Sequence, residues 1–195
     1  MNNIILASAS PRRQELLTQI GIEFRVIPSN IEEKPKSRIP EKIVMELSEG
    51  KARDVFKKLS GREQAAALVI GADTIVVCEG EIMGKPENKI RAMEMLSRLQ
   101  GSTHQVYTGV TLVYNAPDGE KQVSFYEKTD VSMYSMSVEE IESYVDTGEP
   151  MDKAGAYGIQ GKCAAYIKEI RGDYNNVVGL PVGRLYQEMK MHNLR

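Results

Sequence analysis

Cysteine and histidine are scarce in this chain, whose 195 residues include two of each. Cys78 and Cys163 lie far apart with no CxxC pattern, which argues against a disulfide framework, a zinc site or a redox pair and leaves both as candidate core thiols. His104 falls in a strand-like stretch and His192 in what reads as a frayed C-terminal tail, with no partner at ligand spacing. Most histidine-based metal and nucleophile chemistry is thereby set aside, and any catalysis falls to carboxylates. A field of one sign is also missing. The net charge is −2 and the isoelectric point about 5.8, so no nucleic-acid backbone is expected as a partner and any anion must be met by a local cluster. Long apolar runs are absent too. Ile4-Ile5-Leu6-Ala7 is too short for a signal-peptide core, and no other run approaches the length of a bilayer span. The expectation is a cytoplasmic protein with no membrane partner. No internal repeat or low-complexity tract appears.

What the chain does have is enough apolar material, 42%, to bury a core, as one domain or as two lobes sharing a sheet. Near its start, Ser8-Ala9-Ser10-Pro11-Arg12-Arg13 joins a short apolar strand to a helix. Ser10 is placed to N-cap, Pro11 suits the first helical position, and Leu16, Leu17 and Ile20 begin an apolar stripe that Gly21 ends. Two arginines in the first turn have the wrong sign for a helix N-terminus, costing on the order of 0.3–1 kcal/mol each unless an anion offsets them. Free N–H groups, the hydroxyls of Ser8 and Ser10 and the forked donors of Arg12 and Arg13 make a receptor for a phosphate chain. The bland alternative is that the arginines are solvated and the serines merely cap.

Further along, residues 28–40 read as an exposed loop carrying Glu32 and Glu33, and residues 41–59 as one long helix, bent near Gly50. Leu68-Val69-Ile70 reads as a buried strand stopping at Gly71-Ala72-Asp73, with a second strand from Thr74 to Cys78. A helix is expected over 89–99, a long antiparallel hairpin over 103–114 and 122–134, and a helix opened by Ser137. Ala164–Ile167 and Asn176–Val178 read as strands, and Pro181 starts a final helix. Strands mixed with helices predict an α/β fold with a mixed twisted central sheet flanked by helices, in two lobes with a cleft between.

Asp73, at a strand end, is held rigidly enough to serve as general base or metal ligand, though a turn aspartate pairing with backbone N–H groups fits as well. Glu32 and Glu33 read as a solvated acidic pair. Lys85, confined between Gly84 and Pro86, suits a phosphate point charge or is a surface lysine, and Lys51 and Arg53 read as an exposed helix face. In Asp152-Lys153-Ala154-Gly155-Ala156-Tyr157-Gly158-Ile159-Gln160-Gly161, three glycines within seven residues allow close approach to a ligand, and the Gln160 amide both donates and accepts, as a uracil or thymine edge requires.

In this order, the segments SASPRR, the Glu32-Glu33 loop, Glu49-Gly50-Lys51-Ala52-Arg53, Gly71-Ala72-Asp73-Thr74, Gly84-Lys85-Pro86, His104 to Thr108, DKAGAYGIQG and Val178 to Pro181 resemble the Maf family of nucleoside triphosphate pyrophosphatases. DKAGAYGIQG resembles the branch that hydrolyses dTTP and UTP. The resemblance implies a single Maf-like domain over 1–195 with a Maf/inosine-triphosphatase-like fold. It implies Asp73 as proton acceptor, Arg12, Thr74 and Gln160 as substrate-selecting positions, and Ser8, Ser10, Arg13, Lys51 and Lys85 around the phosphates. Glu33 and Asp73 are implied as holders of a divalent cation, Mg²⁺ or Mn²⁺. A homodimer and a link to septum formation are implied as well. One departure is Gly50, where a better helix former is expected. The chemistry expected is cleavage of dTTP or UTP, with CTP and modified pyrimidine nucleotides as further candidates, to the monophosphate and pyrophosphate. A nucleotidyltransferase and a non-catalytic nucleotide sensor of septation are the alternatives; the first lacks a glycine-bearing loop here.

Overall fold

The computed structural model describes residues 3–194. Seven strands form one mixed sheet: β1 (Asn3–Leu6), β2 (Arg25–Val26), β3 (Ala67–Cys78), β4 (Glu81–Met83), β5 (Thr103–Ala116), β6 (Gly119–Met133) and β7 (Ile167–Arg171). Their order is β2-β1-β3-β5-β6-β7, with β4 paired to β3 off that path. β1 runs parallel to both β2 and β3, Leu6 lying opposite Val26 and Ile70, whereas β4 and β7 pair antiparallel to β3 and β6. The helices are α1 (Pro11–Gln19), α2 (Pro40–Lys58), α3 (Gly61–Gln64), α4 (Lys89–Leu99), α5 (Val138–Asp146), α6 (Tyr174–Val178) and α7 (Val182–Met191). The α/β class with a mixed sheet is as expected.

The chain divides into two compact units. One comprises Met1–Asp73, Thr108–Glu127 and Gly179–Arg195, the other Thr74–Tyr107 and Lys128–Val178. In the first unit, Ile5, Ala7, Ala52, Val55, Phe56, Val69 and Val113 form a dry cluster that seats α2 on β1, β3 and β5. α2 stays unbroken through Gly50, with Pro40 in its first turn, Glu41 near its positive end and Lys57 and Lys58 at its negative end. Its backbone comes very close to the sheet at two glycines. A Cβ at Gly71 would stand 2.2 Å from the Ser48 carbonyl oxygen, and one at Gly109 would stand 2.3 Å from that of Val44.

Within the second unit α4 packs on α5. Asn88 caps α4 by accepting from the Arg91 N–H, and Ser137 with Glu140 forms the reciprocal capping box that opens α5. β3 turns into β4 through Glu79 and Gly80, both at positive φ (52° and 80°), the signature of the primed hairpin turn whose twist matches the strands.

Four local expectations need correcting. Gly71 does not end a strand: β3 is continuous over twelve residues, and the glycine is there for α2 to approach. Asn176–Val178 lies in a short helix, because the buried Asn176 amide donates to Val106 O and Thr129 Oγ1 and thereby anchors that turn. Lys162–Tyr166 is a 3₁₀ turn, and the strand begins only at Ile167. His192 is not frayed; its N–H caps α7, and its Nε2 lies 3.9 Å from Glu188 Oε2.

Candidate active site

β1 ends at Leu6, and the chain crosses Ser8 before Ser10 and Pro11 turn it into α1. Ser10 holds the extended capping conformation, but its side chain makes no cap hydrogen bond; its own N–H donates to Ser8 Oγ at 3.3 Å. Arg13, in the first turn, points inward and is only 9% exposed. Its Nε donates to the Gly179 carbonyl at 2.8 Å, and Nη1 donates to Ser8 Oγ at 3.0 Å and to the Ala72 carbonyl at 2.9 Å. The guanidinium therefore clasps α1 to the residue before Asp73 and to the segment that leads into α7. Burial lowers the Arg13 pKa from its ordinary value, and attraction to Asp73 offsets part of that fall. Arg12 stands beside it on the same turn, half-buried.

Asp73 lies within β3, only 7% exposed. Lys51 reaches it from α2: its ammonium donates to Asp73 Oδ1 at 2.6 Å and pairs with Glu33 Oε1 at 2.7 Å. Lys51 was expected on the exposed face of the helix, yet its side chain is 15% exposed, turned to the sheet side where α2 lies against Gly71. Glu33 is no idle member of a solvated pair, although Glu32 is: it pairs with the neighbouring Lys34 in solvent. Desolvation holds the Asp73 carboxyl above the ordinary carboxylate range. Lys51 and Arg13 pull it down and Glu33 adds to the rise. A rigid carboxylate of raised basicity beside a cluster in which cations outnumber carboxylates can accept a proton while a polyanion is bound nearby.

Among the described residues no group of three or more His, Cys, Asp or Glu is placed to hold a metal ion. Asp73 and Glu33 nevertheless send one hard oxygen each to a single cation, the Lys51 ammonium. Such a pair fits Mg²⁺ or Mn²⁺ in the usual manner of phosphate chemistry, where one or two carboxylates suffice and water and phosphate oxygens complete the shell.

The first unit thus holds two groups in direct contact, Ser8 with Arg13 and Lys51 with Asp73 and Glu33, the first reaching the backbone next to Asp73 through the Ala72 carbonyl, with Ser10 and Arg12 on the same helix start. Thr74 follows Asp73 on β3, half-buried. Lys85 and Gln160 belong to the second unit, and both are exposed. The Gly84 carbonyl, just before Lys85, accepts from the Gly155 N–H at 3.0 Å.

The glycine-rich stretch that carries Gln160 is tightly fastened within its own unit. Tyr144 Oη accepts from the Gly158 N–H at 3.1 Å and donates to Glu149 Oε1 at 3.0 Å, while the Lys162 N–H donates to Glu149 Oε2 at 3.1 Å. Lys153 Nζ donates to the Glu149 carbonyl at 2.6 Å. Tyr157 Oη shares a hydrogen bond of 2.8 Å with His104 Nε2, both groups buried. A Cβ at Gly161 would fall 2.0 Å from Glu149 Oε1, so any side chain there would push that carboxylate off Tyr144 and the Lys162 N–H. Sequence reading missed Tyr144 and Glu149, which lie outside the motif they hold. It missed the Gly179 carbonyl as well, since a backbone acceptor leaves no mark in side-chain chemistry.

A family model described as Maf-like protein matches residues 3–192. The chain belongs to the Maf family. Among curated relatives, the dTTP/UTP pyrophosphatase of Agathobacter rectalis is 56% identical, covering 97% of each chain. That of Lachnoclostridium phytofermentans is 49% identical over 97% of this chain and 95% of its own, and that of Bacillus anthracis 48% over 100% and 97%. Maf membership agrees with the mixed-sheet α/β architecture. No helix among the described residues is long and apolar enough to cross a membrane.

Proposed function

We propose that this Maf protein is a nucleoside triphosphate pyrophosphatase that hydrolyses dTTP and UTP, and by extension CTP and modified pyrimidine nucleotides, to the monophosphate and pyrophosphate. The observation that carries the reading is the buried Asp73 carboxylate, of raised pKa, bonded to Lys51 next to the Arg13 and Ser8 clasp. Relatives covering nearly the whole chain bear the corresponding name.

In this reading Asp73 takes a proton from water as the water oxygen bonds to the α-phosphorus, and the bridging oxygen departs with pyrophosphate. Lys51, Lys85, Arg12 and the hydroxyls of Ser8 and Ser10 meet the phosphate charge, and Arg13 holds that helix start in place. Thr74, Arg12 and Gln160 select the base. Glu33 and Asp73 hold a divalent cation, Mg²⁺ or Mn²⁺, which when bound supplies charge neutralisation on the phosphate oxygens. Residues 1–195 act as one Maf-like domain, assembled as a homodimer; sedimentation measures that state. A contribution to septum formation belongs to the same reading and is judged by whether a hydrolysis-dead variant restores normal septation to a deletion strain.

The test is release of pyrophosphate and monophosphate from a panel of purine and pyrimidine triphosphates with Mg²⁺ or Mn²⁺ and no co-substrate. Turnover of dTTP and UTP well above the purines is expected. Release only with a co-substrate would make the protein a nucleotidyltransferase, and tight dTTP binding without turnover would make it a sensor.

A further inference from the structure

Residues 27–39 form no regular element, and Glu33 within them is 54% exposed, yet its carboxylate meets Lys51 at a defined place. A carboxylate on a free polar loop would sample many positions. Here the loop is secured to α2 on both sides of Glu33. On the N-terminal side, Asp54 Oδ2 accepts from Ser29 Oγ at 2.7 Å and from the Asn30 N–H at 3.3 Å. On the C-terminal side, Glu46 Oε2 accepts from the Lys36 N–H at 2.8 Å and the Ser37 N–H at 3.4 Å.

Gly50 lies between those two anchors. A Cβ there would stand 2.7 Å from Ile31 Cδ1, so the bare helix surface is where Ile31 rests. Positions 46, 50 and 54 are spaced by four and share one face of α2, which makes a track of carboxylate, gap and carboxylate. The one helix glycine on this face thus lies under Ile31. Lys58, the next residue on that spacing, donates to Asp54 Oδ2 at 2.8 Å and, with Ser29 and Asn30, holds the Asp54 carboxyl below its ordinary range, so the anchor stays ionised.

We propose that Asp54 and Glu46 are positioning residues that strap residues 29–37 along α2, with Ile31 resting over Gly50 between them, and so fix the Glu33 carboxylate at Lys51. The inference rests on the functional reading above only for the consequence in turnover; the strap itself is a matter of these contacts.

A double-mutant cycle tests it. Asp54→Ala is expected to lower kcat/KM for dTTP about tenfold in the parent chain, and to cause no further loss in a Glu33→Gln background. Glu46→Ala follows the same pattern, and Asp54→Asn, which keeps an acceptor oxygen, recovers most of the parent rate. Amide hydrogen exchange gives a readout independent of turnover: Asn30 exchanges faster in Asp54→Ala, and Lys36 and Ser37 in Glu46→Ala, while the interior amides of α2 do not. An equal fold-loss in both backgrounds, or no loss in either with exchange unchanged, overturns the proposal. So does a fully active Glu33→Gln, which would leave the strap nothing to position. If the parent itself releases no pyrophosphate, the functional reading fails and exchange over 29–37 alone decides the strap.

Discussion

Lys51 places its ammonium 2.6 Å from Asp73 Oδ1, and the Asp73 carboxyl still sits above its ordinary range. An ion pair at that distance lowers an exposed carboxyl. Here the loss of water around a nearly buried group outweighs the pair, with Glu33 adding repulsion. The pairing keeps Asp73 aimed and the burial keeps it basic, the two properties that the proposed proton acceptor requires.

Asp73→Asn is expected to cut turnover about a thousandfold. Its effect on stability has the opposite sign. A carboxyl whose folded pKa is raised contributes stability that is fully present below the unfolded value, near 4, and lost as pH rises through the folded value. At neutral pH the parent therefore carries an ionised, poorly solvated group that the amide removes. The thermal midpoint of the variant should equal or exceed the parent's at pH 7.5, with the difference shrinking as pH falls toward 4. A clearly lower midpoint at neutral pH would mean that the Lys51 pair outweighs burial.

Arg13→Lys keeps the charge and removes the fork. An ammonium has no fork with which to reach the Gly179 carbonyl, Ser8 Oγ and the Ala72 carbonyl together, so hydrogen bonds that these groups receive from Arg13 are lost. Urea denaturation should show a loss of about 3 kcal/mol with an unchanged slope. A loss below about 0.5 kcal/mol, as for an ordinary surface change, would show the clasp to be dispensable.

Local chemistry made much of this legible in the chain. The bounds of α4 follow from its apolar spacing, with Gly101 just beyond, and Ser137 with Glu140 marks the start of α5. Ser8 and Arg13 lie at a helix start, which leaves a local signature, whereas the strand end that singles out Asp73 in the sequence does not exist, since β3 runs on through it to Cys78. Errors arose where tertiary contact overrode local preference. Gly71 punctuates a strand on paper but serves helix approach in space, and the Val177-Val178 pair favours a strand until Asn176 is anchored by Val106 and Thr129. Charge alone predicts a solvent-facing Lys51, and only its pairing with the buried Asp73 carboxylate on β3 reverses that. Asp54 and Glu46 carry no motif; their spacing along α2 gains meaning once the loop is seen lying on it.

His104 supplies an acid-sensitive element. Burial alone pushes its pKa down to about 4, and the ring shares its Nε2 with Tyr157 Oη. The unfolded chain takes up that proton near pH 6.5, whereas the folded one does so only near 4. Its contribution to stability is therefore fully present above about 6.5 and falls as pH drops through that window, by on the order of 3 kcal/mol. Thermal midpoints measured from pH 7 to 4 should fall more steeply for the parent than for His104→Gln, which does not titrate. Parallel curves would place the acid sensitivity elsewhere.

Gly71→Ala probes the approach that puts Lys51 over Asp73. The added Cβ would lie 2.2 Å from the Ser48 carbonyl oxygen, 2.7 Å from Ala52 N and 2.9 Å from Ala52 Cβ. Two of those three atoms are helix backbone, which cannot swing aside as a side-chain tip can, so α2 has to back away from β3. Lys51 lies between Ser48 and Ala52 on that helix, and Asp73 is two residues on from Gly71, so the displacement opens the 2.6 Å pair directly. The expected result is a destabilisation of about 3 kcal/mol together with a loss of turnover in whatever fraction remains folded. Gly183→Ala is the matched control. Nothing lies within 4 Å of its Cβ and it sits in the first turn of α7, so it should leave turnover intact and stabilise the helix by up to about 1 kcal/mol. If Gly71→Ala keeps full turnover, the position of Lys51 does not depend on close approach of α2 to β3.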